Sequence, residues 1–185
     1  LAGDPLLSPF VYRSLGDLGM ARLTNALPGP VAAHHFEQGL LSADPRTCLE
    51  AIVATTRQGN RASAAAIAQN LGHSDPRIAH TAFRALAKLG SADACFEVLD
   101  SSGTTLGQKQ GAAYALMRMP RPDVVSRLLK RLSSQTSSKS RRLTLSALCR
   151  LYHKEAEWKG DSWGTRPDTR GPYYQLATWS ESQRI

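Results

Sequence analysis

A run of sixteen residues occurs twice in this chain without a gap, and no other feature limits the fold as strongly. Residues 4–19 align with residues 75–90. Asp4/Asp75, Pro5/Pro76, Arg13/Arg84, Leu15/Leu86, Leu18/Leu89 and Gly19/Gly90 are identical, and the apolar positions largely match. Weaker copies follow Asp44-Pro45-Arg46, run through residues 115–119 and return at 147–151. From Arg57 to Lys88, Arg118 and Arg150 the steps are 31, 30 and 32 residues. A fixed period of this size marks a stacked repeat array.

The copy from Asp75 to Asp100 shows what a repeat is made of. Asp75 can cap a first turn, Pro76 suits the first helical position, and Gly90 suits the residue just past the end. Ile78, Ala79, Ala82, Phe83, Leu86 and Leu89 fall on one helical face, and a second helix carries Ala94, Cys95, Val98 and Leu99. Each repeat is therefore a helix pair too small to bury its own apolar face, so neighbours must stack. The pattern predicts helices near 5–18, 20–27, 30–41, 45–58, 61–71, 76–89, 92–100, 105–119, 123–132 and 139–154.

Asp-Pro-Arg at a helix head (44–46, 75–77) and Ala-Leu-x-x-Leu-Gly at its end (85–90) resemble the HEAT family in its short, HEAT-like form. The likeness covers about residues 4–154 and implies a fold, with almost nothing about function. The ankyrin and tetratricopeptide signatures are missing.

Composition adds limits. No run of about eighteen apolar residues is present, so no membrane insertion is expected. Cys48, Cys95 and Cys149 are far apart and each sits among apolar helical positions, which reads as three buried small hydrophobes. Without a Cys-x-x-Cys or an i, i+4 histidine pair, no metal and no cofactor is expected. Ser180 and Gln183 read as the capping box of a further helix over 180–185, cut short by the chain end. A piece of a larger protein, monomeric as a fragment, is the expectation.

The net charge of +8 is uneven. Residues 101–154 hold eleven Lys/Arg against one acid, Asp123, while the flanking stretches are near balance. Arg127, Lys130 and Arg131 are expected to point away from the apolar face of one helix, and Lys139, Arg142 and Arg150 from that of the next. Together they form a candidate surface for a polyanion or an acidic partner. The column Arg57, Lys88, Arg118, Arg150 reads as a structural ladder between units.

Residues 152–179 hold six of the twelve aromatics, including every tryptophan. Gly and Pro between 160 and 172 exclude a continuous helix, and the aromatics argue for an ordered loop packed on the helices. Trp163, Arg166, Asp168 and Arg170 are its candidate ligand contacts. The stretch Glu157-Trp158 through Gly160-Asp161-x-Trp163-Gly164-Thr165-Arg166-Pro167-Asp168 to Pro172-Tyr173-Tyr174 resembles a segment of large secreted bacterial proteins. Those combine a sugar-dehydrogenase-like propeller, a HEAT region and a c-type cytochrome domain. The resemblance implies an extracytoplasmic setting and a haem-containing, dehydrogenase-like parent. The haem ligands and the propeller's catalytic residues have no counterpart here.

The expected architecture is all-α. It is a right-handed solenoid of four to five HEAT-like (armadillo-type) helix pairs over 1–154, followed by an ordered aromatic loop over 155–179. No nucleophile with an adjacent base and no spaced carboxylate pair stands out, so no catalytic residue is named and an enzyme is not expected. The expected role is a scaffold that meets other domains of its parent chain or a protein partner. Nucleic-acid binding through residues 109–154 and carbohydrate binding at the Trp/Arg loop are the competing readings.

Overall fold

The computed structural model of the protein describes residues 4–22, 34–156 and 176–185, the side chains of 19–22, 34 and 35 excepted. The described residues are mostly helical, so the chain is all-α in character. It divides into two compact units, Leu1–Met119 and Pro120–Ile185.

In the first unit the described helices are α1 (Ser8–Arg22), α2 (His34–Leu40), α3 (Pro45–Arg57), α4 (Ala64–Gln69), α5 (Pro76–Leu89), α6 (Ala92–Asp100) and α7 (Leu106–Leu116). The heads of α3 and α5 are set by the same chemistry. Asp44 Oδ2 accepts from the Thr47 N–H at 2.8 Å, Asp75 Oδ1 accepts from the Arg77 N–H at 2.9 Å, and a proline follows each cap. Gly90, at φ 67°, ends α5 in the left-handed conformation and lets Ser91 N–H reach the Leu86 carbonyl at 3.0 Å.

Odd and even helices form two rows. α1 packs on α3, α3 on α5 and α5 on α7; α2, α4 and α6 lie behind them against α3, α5 and α7. Ile52, Ile67, Ile78, Leu86 and Leu116 are fully buried between the rows. The turn at 70–72 comes so near α7 that a Cβ on Gly111 would stand 2.8 Å from the Leu71 carbonyl oxygen.

The second unit holds α8 (Pro122–Ser134), α9 (Ser138–Leu151), the two-residue strands β1 (Lys154–Glu155) and β2 (Leu176–Ala177), and a 3-10 turn at Ser182–Arg184. α8 packs on α9, burying Val124, Val125, Leu128, Ala147, Leu148 and Leu151. β1 and β2 pair antiparallel, with Lys154 opposite Ala177 and Glu155 opposite Leu176.

Several expectations need correcting. The break predicted between helices at 5–18 and 20–27 is not there, since α1 runs through Gly19 to Arg22; residues 23–27 lie outside the described residues. Gly90 is followed by Ser91-Ala92-Asp93, which opens a new helix, whereas Met20, Ala21 and Arg22 after Gly19 favour continuing one. The element over 61–71 is a short α-helix between two 3-10 turns. No strand was expected, yet β1 and β2 pair. At the end of the chain Ser180 does not cap a helix. The turn follows Glu181, and the Ser182 hydroxyl accepts instead from the Trp179 N–H at 2.9 Å.

Candidate functional site

Of the four cations expected to form a ladder, Arg57, Lys88 and Arg118 lie in the first unit, while Arg150 lies on α9 in the second. Arg57 closes α3, Lys88 lies in the last turn of α5, and Arg118 follows α7 by two residues. A cation near a helix C-terminus sits favourably at the negative end of the helix dipole. Because α3, α5 and α7 stand side by side, the period becomes proximity. Arg84, one turn before Lys88, joins the same face.

The result is a groove of about 500 Å³ lined by Val53, Thr56, Arg57, His80, Thr81, Arg84, Ala85, Ala87, Lys88 and Arg118. Four of these ten are Lys or Arg, and no Asp or Glu is among them. All four cations and His80 are exposed. Among the described residues, Arg57 is the one of the four held by a carboxylate, Asp17 on α1. Arg84 and Lys88 have no carboxylate partner among the described residues. The Thr56 and Thr81 hydroxyls donate to the Ile52 and Arg77 carbonyls at 2.7 Å each, so their protons stay within their own helices. An open groove with surplus positive charge attracts anions, and its Arg forks suit carboxylate or phosphate oxygens.

A second hollow, of about 380 Å³, shares the His80 wall with the groove. Phe83 and Tyr114 line it, with ring centroids 5.8 Å apart. Leu71, Gly72, Gly107 and Gly111 also line it, the glycines letting the turn at 70–72 pack directly on α7. Arg118, from the groove side, sits 5.8 Å from the centre of the Phe83 ring, and His80 meets that ring edge-on at 4.8 Å.

The cations singled out from sequence lie in the second unit. Arg127, Lys130, Lys139, Arg142 and Arg150 are exposed, but Arg131 is buried at 8% exposure and has to be withdrawn from the surface set. It follows Val124 and Leu128 by seven and three positions, which puts it on their stripe, and its long stem tolerates that apolar setting. Burial pulls its guanidinium pKa down. Leu129 and Leu132 on the same helix are half-buried. Trp163, Arg166, Asp168 and Arg170 lie outside the described residues.

Cys48 and Cys95 are buried as expected, while Cys149 is exposed. Cys149 lies about 100° to 200° around α9 from Ala147, Leu148 and Leu151, too far to share their buried side. Among the described residues no three His, Cys, Asp or Glu come together as a metal site, and no helix is long and apolar enough to cross a membrane. No family model matches the chain, and no curated protein is significantly similar to it.

Proposed function

We propose that this protein is a non-enzymatic, HEAT-like helical-repeat module that docks an anionic partner in the groove of Arg57, Arg84, Lys88 and Arg118. The observation that carries this reading is the groove's one-sided charge: four Lys/Arg and no Asp/Glu around about 500 Å³. The two rows of helices support the repeat reading, since successive pairs repeat the same packing and bring the same helix end to the same face. Nothing around the groove pairs a nucleophile with a base, so binding is the chemistry it offers.

The test is retention on heparin under a salt gradient. Arg84→Glu/Lys88→Glu is expected to elute at clearly lower salt than the wild type. Arg127→Glu/Arg142→Glu, an equal charge change on α8 and α9, should shift elution less. Equal shifts would mean that net charge alone governs retention. A larger shift from the α8/α9 pair would move the site to the surface first read from sequence.

A further inference from the structure

We infer that the groove's occupant is single-stranded nucleic acid, with phosphates on the cations and a base in the neighbouring aromatic hollow. The inference rests on the anion-docking reading and adds a second, independent feature to it. An acidic peptide would need only the cations; it has no use for an aromatic hollow beside them. A duplex keeps its bases stacked on one another and has no free base face to offer. A single strand presents both parts at once, anionic oxygens and planar rings, and each ring can stack on an aromatic side chain whatever its sequence.

The geometry fits that division. Gly107, Gly111 and Tyr114 follow one another at i, i+4 and i+7, so they share one face of α7. The Tyr114 ring is 48% exposed, and the glycine face beside it is covered by the turn at Leu71 and Gly72, which packs directly on α7. Phe83 offers a second ring in the same hollow. His80 belongs to both hollows, so a chain leaving the groove enters the slot without crossing an acidic side chain. Arg118 touches both chemistries, lining the groove while lying over Phe83.

The experiment is fluorescence anisotropy of a labelled oligo-thymidine strand, a labelled duplex of equal length and a labelled oligoglutamate peptide, each titrated with the whole chain. The single strand is expected to bind most tightly. With four phosphate contacts its affinity should fall about 50-fold between about 50 and 200 mM salt. Tyr114→Ala, at a half-exposed position, should lower single-strand affinity by about five- to a hundredfold, the worth of one stacked base. It should leave oligoglutamate binding unchanged, and Tyr114→Phe should bind like the wild type.

Duplex binding as tight as single-strand binding, or no effect of Tyr114→Ala, would overturn the inference and leave the anion groove standing. Preference for oligoglutamate would do the same and make the partner an acidic protein. If none of the three binds even at low salt, the groove reading fails as well.

Discussion

Gly39 in α2 lies flat against the ring of Tyr12 in α1: a Cβ at position 39 would stand 2.3 Å from Tyr12 Cζ and 2.8 Å from Ala51 Cβ. Both neighbours are fully buried, so neither can swing away. Gly39→Ala is therefore expected to destabilise the first unit by about 1–3 kcal/mol, the usual result of overpacking. Urea unfolding followed by circular dichroism measures it. The same change made on a Tyr12→Ala background should cost less, because the ring is gone and only the Ala51 contact remains. Additive effects would mean that the two residues do not meet.

The carboxylate that caps α5 makes stability depend on acid. The Arg77 guanidinium first, and then the Arg77 N–H, hold Asp75 at a pKa of about 2. Asp44 and Asp123 are lowered too, by the Thr47 hydroxyl and the Arg121 side chain respectively. A folded-state pKa below the unfolded value of about 3.9 adds stability that is complete above about pH 4 and is lost as pH falls towards 2. Melting temperature should accordingly hold steady from pH 7 to about 4.5 and then drop. Asp75→Asn keeps a good capping oxygen but cannot titrate, so its drop should be shallower. Parallel acid profiles would remove Asp75 from the account.

The three thiols should react at very different rates. Cys149 is exposed on α9. Burial pushes Cys48 to about 11 and Cys95 to about 12, leaving almost no thiolate at neutral pH. Cys48 also lies 3.4 Å from Asn70 Oδ1 and 3.5 Å from the Leu40 carbonyl. Iodoacetamide at pH 8 is expected to label one site quickly in the native protein, and Cys149→Ser should abolish that fast labelling. Three sites should label together in denaturant. Rapid native labelling of Cys95 would contradict the packing of α6.

Much of the first unit could be read from residue order, because short-range chemistry decides it. The Asp-Pro heads and the Gly90 stop depend on neighbours within four positions, and those helices begin and end where such signals stand. What could not be read depends on partners far along the chain. Arg131 was misplaced because several apolar stripes fit α8, and only packing on α9 selects the one through Val124 and Leu128. The groove was in view as a period, Arg57 to Lys88 to Arg118, but a period alone does not say whether its side chains pair off. Among the described residues Arg84 and Lys88 meet no carboxylate once the helices are side by side, which no count of charges reveals. Tyr114 carried no signal of its own, because its nearness to Phe83 exists only once α7 packs on α5.

The far end of α9 is closed by residues some thirty positions later. The last carbonyls of a helix lack partners within it. Here Trp179 Nε1–H donates to the Leu151 carbonyl at 2.8 Å, and the Ser182 hydroxyl donates to the Tyr152 carbonyl at 2.6 Å. Trp179→Phe keeps an aromatic ring and removes one donor, and Ser182→Ala removes the other. Each is expected to lower stability by about 1 kcal/mol, the net worth of one such bond. The Ser182 oxygen also accepts from the Trp179 N–H, so both residues belong to one small network. Their effects should then fall short of additive, with the double variant losing less than the sum. Urea midpoints of the two single variants and the double variant decide this. Unchanged midpoints in all three would mean that the clasp on α9 does not form.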